Sequence, residues 1–337
     1  MFRYHSRLSA SLLVGIQVTV PLPARADDFY KGKTISLLVG FTAGGGYDVY
    51  ARLLARFMPN HIPGRPNVSV QNMPGAGSLL AARSVNMTQP KDGTVMVIFN
   101  PGLLTQSIIQ PDMIKLDFRK YAWVGIATPD FRVCYGYGAT GVSSWKDLMQ
   151  RKEFVLGGTG KGSGNYVNGA ILRQVFGAPV KQVLGFPGSA EKRIAIERGE
   201  LDGDCGDMSS VPADWLRDNK VHPFVRFNKN KAPEVPESAK WIADFAATQQ
   251  QKELLGLLNA PDELGRSFVV SGEVPTDRLA DLRKAFNDTM KDPAFIAESQ
   301  RARSAIQPLT GEEADGIVNR IMTASPAVVA KAKEIYD

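Results

Sequence analysis

Short apolar runs alternate with amphipathic segments along most of the chain. The first clear example is a largely apolar run at Thr34–Val39, followed by Gly44–Gly46 and then by apolar positions at helical spacing after Asp48. This order predicts a strand, a tight glycine turn and a helix. The start of a helix leaves N–H groups unpaired and carries partial positive charge, so the turn is suited to holding an anion.

The same arrangement recurs further along the chain. Predicted strands at residues 68–72, 94–99 and 154–158 each run into a loop rich in glycine, proline or hydroxyl residues. Parallel sheets covered by helices place such loops along one edge, which is where ligands bind in open α/β sheets. The pattern therefore predicts an α/β protein whose loops converge on a site.

The alternation forms two series, and a chain of 337 residues exceeds what one core usually holds. We predict a first lobe over residues 27–128 and a second lobe over residues 129–228. Residues 229–337 would form a return segment and C-terminal helices that pack on the first lobe, the last helix running from Gly311 to Tyr336. Hinges are expected near residues 128–130 and 227–230.

The N-terminal segment has the features of a secretory signal. Arg3 and Arg7 precede the apolar stretch Leu8–Val20, and Ala24–Ala26 has the small-x-small form of a cleavage site. We predict a signal peptide over residues 1–26, cleaved after Ala26, and a periplasmic location without a lipid anchor.

Charge and cysteine content narrow the function classes. The net charge is +6, and three of the arginines lie in the predicted signal segment. Without lysine and arginine runs, nucleic acid binding is not expected. Cys134 and Cys205 could pair in an oxidising compartment or remain buried thiols, and the sequence leaves both open. His61 and His222 have no ligand partners nearby in sequence, so we expect neither a metal site nor a cofactor.

Candidate catalytic motifs are incomplete. Gly136–Gly141 matches the dinucleotide fingerprint, but the following helix begins only after Ser144, so a plain loop is favoured. Ser163 lacks the strained elbow of a nucleophile. Asp204 and Asp207 could form an acid pair, although a loop cap or a polar wall is the more usual role of such residues. The loop residues are therefore typical of a binding protein rather than of an enzyme.

A spaced set of motifs then points to a known family. The motifs lie at residues 30–35, 41–48, 72–77, 90–94, 158–165, 187–190, 199–202, 274–279 and 292–293. In these positions the chain resembles the extracytoplasmic receptors of tripartite tricarboxylate transporters, the Bug family of periplasmic solute-binding proteins. The resemblance spans nearly all of the chain after the predicted signal.

The resemblance implies a periplasmic binding protein type II fold, a two-lobe Venus-flytrap with the ligand cleft between the lobes. It implies a monomeric receptor that captures a small organic acid and delivers it to a two-subunit membrane permease. Two alternatives stay open: a sensor that presents its ligand to a signalling partner, and an exported enzyme acting on a small organic acid.

The resemblance also implies a set of ligand contacts, carried over by position. From the first lobe these are Thr42, Ala43, Gly45, Gly46, Tyr47, Asn72, Gly75, Ala76 and Gly77. From the second lobe they are Thr159, Gly160, Gly162, Ser163, Asn165, Gly188, Ser189 and Asp207.

Departures from the family pattern bear on the ligand: Thr42, Ala43 and Tyr47 stand in the first loop, and Lys161 adds a charge to the second. In one hypothesis, Tyr47, Tyr166 and Phe186 form an aromatic wall of the cleft. Lys161 then binds a second carboxylate of the ligand. The alternative is that these side chains point away, with Tyr166 and Phe186 in the core and Lys161 in solvent.

Overall fold

The computed structural model describes residues 1–2, 29–229 and 231–336. Nearly all of the predicted signal segment, including its cleavage site, lies outside the described residues. The strands are β1 (Thr34–Val39), β2 (Asn67–Asn72), β3 (Val95–Ile98), β4 (Tyr121–Ile126), β5 (Arg132–Tyr137), β6 (Phe154–Gly158), β7 (Val180–Leu184), β8 (Gly203–Asp207), β9 (Val221–Arg226), β10 (Lys240–Trp241), β11 (Ser267–Ser271) and β12 (Leu309–Thr310).

Helices connect and cover these strands. They are α1 (Gly46–Phe57), α2 (Leu79–Met87), α3 (Gly102–Ile109), α4 (Pro111–Ile114), α5 (Trp145–Met149), α6 (Gly164–Ala170), α7 (Ser189–Glu197), α8 (Ala213–Arg217), α9 (Gln249–Asn259), α10 (Thr276–Thr289), α11 (Pro293–Arg301), α12 (Gly311–Met322) and α13 (Pro326–Tyr336). No helix in the described part of the chain is long and apolar enough to cross a membrane.

The strands form two six-stranded mixed sheets, one in each lobe. The first has the order β12-β4-β11-β3-β1-β2 and the second the order β10-β9-β5-β8-β6-β7. In each sheet one block of parallel strands is joined to antiparallel neighbours, so β1 pairs in parallel with β2 and β3 while β11 runs antiparallel to β3 and β4. This architecture confirms the predicted two-lobe α/β fold.

Helices cover both faces of the first sheet, which explains the largely apolar strands. Along β1, Leu37 and Val39 pack into one hydrophobic cluster with α1 and α10, while Leu38 packs into another with α2 and α12. Strands buried on both faces read as continuous apolar runs rather than as alternating ones. The strand β4, which lies between β12 and β11, was missed by the pattern because alanine and glycine interrupt it. Gly125 sits where any side chain would collide with the ring of Phe286.

Two chain segments cross between the lobes side by side. The first joins β4 to β5, and the second leads from α9 into β11. Backbone hydrogen bonds tie them together: Ala127 N–H donates to Arg266, Arg266 N–H to Thr128, and Asp130 N–H to Asp262, with N–O distances of 3.0, 2.9 and 2.8 Å. Two chain segments that are hydrogen-bonded to each other therefore connect the lobes.

The return to the first lobe differs from the predicted one at residue 229. The structure keeps β10 in the second sheet and packs α9 into the core of the second lobe, so the second crossing falls near residues 262–266. The predicted helix over Gly311–Tyr336 is two helices, because Pro326 begins α13. Ala332 and Ile335 of α13 pack into the second lobe's core, so this helix crosses back again.

A disulfide joins Cys134 and Cys205, the two cysteines whose state the sequence left open. They face each other directly in the antiparallel strands β5 and β8, in the middle of the second sheet. Two residues further along the same pair of strands, Arg132 lies opposite Asp207. The disulfide therefore fixes the two strands close to the end that faces the first lobe.

Loss of this bridge is expected to lower stability. The double variant Cys134→Ala/Cys205→Ala should unfold with a free energy about 2–5 kcal/mol below that of the oxidised protein, because the cross-link restricts the unfolded chain. Denaturant titration with and without a reducing agent measures the difference, and reductant should leave the double variant unchanged. Finding two free thiols in the unreduced, unfolded protein would contradict the assignment.

Candidate functional site

A small cavity of about 30 Å³ lies between the lobes, where their loops meet. Both lobes contribute to its wall, as predicted for a ligand cleft. Its lining residues are Phe41, Gly45, Gly46, Tyr47, Arg132, Thr159, Asn165, Ser189, Asp207, Ser210 and Arg266.

The first lobe brings the start of α1 to the cavity. Gly44 adopts φ +78°, which favours glycine, and its N–H donates to the buried carboxylate of Asp48 at 2.8 Å. Asn72 also donates to Asp48, at 2.9 Å, and to the carbonyl of Phe41, at 2.8 Å. At Gly46 a side chain would collide with Ser210, at 2.8 Å. The bonds to Asp48 thus fix the glycine loop in place beside the cavity.

The second lobe contributes the starts of α6 and α7. Ser163 caps α6 with its own side chain, accepting from the N–H of Tyr166. In contrast, α7 starts after Gly188 and α1 starts after Gly45, and neither has a side-chain cap. The two uncapped helix ends meet across the cleft, with Ser189 lining the cavity. Helix starts of this kind attract negatively charged groups.

A buried cluster of charged side chains forms the floor of the cleft. Arg266 donates to Asp130 at 2.5 Å and forms an ion pair with Asp207 at 2.8 Å. Arg132 also pairs with Asp130 and donates to Asp262 at 2.5 Å. Asp130 has no exposed surface and Arg266 is 1% exposed. One carboxylate therefore connects two arginines, each at the start of a strand in a different lobe.

Burial and mutual charge set the protonation of this cluster. Burial opposes the charge on Arg266, but the carboxylates of Asp130 and Asp207 raise the pKa of Arg266 above its ordinary value, so it stays a cation. Burial raises the pKa of Asp262 to about 7, against the opposing effect of Arg132. At neutral pH the carboxyl group of Asp262 is therefore partly protonated.

Three buried polar atoms of cavity-lining side chains lack a hydrogen-bond partner among the described residues. They are the hydroxyl oxygens of Tyr47 and Thr159 and Nε of Arg266. Burial, reinforced by Asp130, raises the pKa of Tyr47, so the phenol keeps its proton and can donate. Buried polar groups are normally hydrogen-bonded, so these three are candidates for ligand contact.

Hydrogen bonds between the lobes close the cleft at its edges. Thr42 donates to Glu191 at 2.9 Å, and Arg193 donates to the carbonyl of Gly44 at 3.0 Å. On another edge, Asn100 donates to the carbonyl of Gly162 at 3.2 Å. The cavity is thus enclosed by direct contacts between the two lobes.

The residues predicted as ligand contacts fall into two groups. Those that line the cavity are Gly45, Gly46, Tyr47, Thr159, Asn165, Ser189 and Asp207. The others lie outside its wall, namely Thr42, Ala43, Asn72, Gly75, Ala76, Gly77, Gly160, Lys161, Gly162, Ser163 and Gly188. Several of the second group form contacts between the lobes instead. Gly77, for example, lies beside Gly160 and Ser163.

The structure separates the members of the aromatic-wall hypothesis. Tyr47 lines the cavity and stacks on Phe41 with ring centroids 4.8 Å apart. Tyr166 packs in the second lobe's core, and Phe186 packs against another cluster of that lobe. Lys161 donates to the backbone carbonyl of Tyr336 at 3.0 Å, near the end of α13. Its ammonium group is therefore engaged at a helix C-terminus rather than in the cleft.

Sequence reasoning missed Arg132 and Arg266. Arg132 begins a buried strand and Arg266 directly precedes one. At such a position the neighbouring residues do not indicate which carboxylate will pair with the arginine. The available clue was the unusual placement of an arginine directly before an apolar strand in both lobes. A buried cation requires a buried anion.

A larger cavity of about 900 Å³ lies beside the hinge. It is lined by second-lobe residues such as Phe227, Trp241 and Lys252, together with hinge residues Pro129 to Phe131. Most of its wall comes from the second lobe and the crossing segment. The smaller cavity, in contrast, takes its wall from both lobes.

Two six-stranded lobes, two hydrogen-bonded crossing segments and a cleft between the lobes are the architecture of two-lobed periplasmic binding proteins, so the chain shares the fold of that class. No family model matches the chain. A UPF0065 protein of Agrobacterium vitis is 25% identical over 238 residues, covering 69% of this chain and 67% of that protein. A UPF0065 protein of Cupriavidus necator is 37% identical over 93 residues, covering 28% of this chain and 27% of that protein.

Several solved structures share this fold over nearly the whole chain. The periplasmic binding protein BugD superposes with a TM-score of 0.75 at 17% identity, covering 91% of this chain and 98% of that chain. An R. palustris protein solved with adipate gives 0.72 at 18% identity, covering 90% and 97%. MatC from Rhodopseudomonas palustris with bound malate gives 0.70 at 17% identity, covering 90% and 99%. The resemblance to Bug-type receptors is confirmed at the level of the fold.

Removing one member of the charged cluster is expected to be costly. Arg266→Met would leave Asp130 and Asp207 short of a partner, so the free energy of unfolding should fall by about 3–5 kcal/mol. Arg320→Met is the matched control, because its ion pair with Glu263 is largely exposed and should change stability by about 1 kcal/mol or less. Equal effects in denaturant titrations of the two variants would refute the role of the cluster.

The raised pKa of Asp262 predicts a specific pH dependence. Between the unfolded pKa near 3.8 and the folded pKa of about 7, the folded protein binds more protons than the unfolded chain. The contribution of Asp262 to stability is therefore full at acid pH and is lost as pH rises through about 7. The variant Asp262→Asn should lack this loss. The difference in unfolding free energy between variant and parent, measured across this range, should grow with pH, and a constant difference would contradict the prediction.

Proposed function

We propose that this protein is a periplasmic solute receptor that binds a small organic acid between its lobes. The observation that carries the proposal is the concentration of free donors around one enclosed cavity. Tyr47, Thr159 and Arg266 each present a polar atom without a partner among the described residues, and two uncapped helix starts adjoin them. A carboxylate accepts hydrogen bonds from hydroxyl groups, from arginine and from the N–H groups at helix starts.

Binding rather than catalysis fits the residues at the cleft. Asp207 is the carboxylate in the cavity wall, and it accepts from the N–H groups of Phe131 and Ser209 while paired with Arg266. It therefore acts as a structural acceptor, not as a free general base. The solved proteins that share this fold and carry adipate or malate are in keeping with an acid as ligand.

The proposal extends to a transport partner. By analogy with the solute-binding protein TctC from Polaromonas, which has the same fold at a TM-score of 0.59, we propose delivery to a membrane permease of the tripartite tricarboxylate type. The closed lobes would present a joint surface to that partner. A receptor that signals instead would share the same cleft, and only its partner would differ.

A ligand screen tests the proposal directly. Protein refolded to strip retained ligand should show a raised melting temperature with one group of carboxylates, because a ligand that binds only the folded state stabilises it. Tyr47→Phe should then weaken affinity by about tenfold or more, since it removes a donor to a charged group.

Tyr137→Phe serves as the control, because it removes a hydroxyl on β5 that does not line the cavity. It should bind like the parent. Absence of any thermal shift across mono-, di- and tricarboxylates would reject the proposed function. Equal losses in the two tyrosine variants would reject the assignment of the site.

A further inference from the structure

We infer that the cleft selects a small monocarboxylate and discriminates against di- and tricarboxylates. The inference rests on the proposed function and specifies the ligand class of the same cavity. It derives from a count of the charges around the cavity, from the size of the cavity and from the donors that line it.

The buried cluster holds no spare positive charge. Two arginines, Arg132 and Arg266, face three carboxylates, Asp130, Asp207 and Asp262. With every group ionised the cluster carries a net charge of −1, and with Asp262 protonated it is neutral. Neither state offers an unpaired cation to a ligand.

The groups surrounding this cluster are paired as well. Lys192 is buried and bonded to Asp204 at 2.5 Å on the second-lobe side. On the first-lobe side Arg52 pairs with Asp48 at 2.9 Å. At the rim, the partly exposed Glu191 and Arg193 of α7 contribute one charge of each sign. Each of the two buried or half-buried cations, Lys192 and Arg52, thus has a carboxylate partner, and the two rim charges of α7 balance.

One carboxylate can be accommodated without a counter-ion of its own. The starts of α1 and α7 supply N–H groups and partial positive charge, and the Tyr47 and Thr159 hydroxyls supply donors. A second carboxylate in the same enclosed space would be a buried charge beside a neutral or negative cluster. Burial of an unpaired charge is strongly unfavourable.

The size of the cavity and the rings in its wall further restrict the class of ligand. A cavity of about 30 Å³ has room for about two water-sized groups, roughly the two oxygens of one carboxylate, so any longer acid must widen the cleft and a short acid widens it least. The stacked rings of Phe41 and Tyr47 offer that acid an apolar wall.

Calorimetric titration of the refolded protein with acids of matched length tests this inference. The pairs are propionate with malonate, butyrate with succinate, and lactate with malate, at about pH 8. We expect the monocarboxylate of at least one pair to bind about tenfold or more tightly than its dicarboxylate. A dicarboxylate that binds as tightly as its partner in every pair overturns the inference but leaves the proposed function intact. Failure of every acid to bind overturns both.

A variant that changes one charge distinguishes an electrostatic cause of the selectivity from a steric one. Asp262→Asn removes a negative charge from the cluster without altering the cavity wall, so it should reduce the preference for monocarboxylates by about fivefold. Asp112→Asn removes the same charge from an exposed position on α4 and should leave the preference unchanged. An unaltered preference in Asp262→Asn would show that charge does not set the selectivity.

Discussion

The carboxylate of Asp130 is the contact on which the arrangement of the two lobes depends. It accepts from Arg132, which begins β5 in the second sheet, and from Arg266, which leads into β11 in the first. The backbone of Asp130 is also bonded to the returning segment, at Asp262. A buried ion cluster of this kind is costly to desolvate and adds little net stability. Its effect here is geometric, because it fixes the two crossing segments and the floor of the cleft together.

The sequence was informative wherever a local pattern determines the structure. The order of strand, glycine turn and helix at Thr34–Phe57 needs only apolar spacing, positive φ at Gly44 and the acid at Asp48, and all three lie within a few turns of one another. Prediction from the sequence failed where the contact that determines the structure joins residues far apart in the chain. Arg132 and Arg266 find Asp130 and Asp207 only after two lobes have formed. The strand β4 depends on Phe286 filling the space above Gly125.

The C-terminal helix links the lobes in a way that no local pattern indicates. After α12 has packed on the first lobe, α13 returns to the second, where its Ile335 is buried and the carbonyl of Tyr336 accepts from Lys161. The lysine that looked like a ligand contact thus anchors the end of the chain to the loop that precedes α6. The same loop touches Gly77 of the first lobe. Relative movement of the lobes must therefore accommodate a third chain crossing as well as the double hinge.

The contacts at the edge of the cleft have a kinetic consequence. The bond from Thr42 to Glu191 and the bond from Arg193 to Gly44 join the lobes directly, outside the cavity wall. A solute held in the proposed site can exchange only when these rim bonds break, so they slow its exchange. Because the same bonds favour the closed arrangement, they also add to the affinity for whatever the closed cleft holds. The rim therefore couples exchange rate to affinity, whereas selectivity between solutes depends on the donors within.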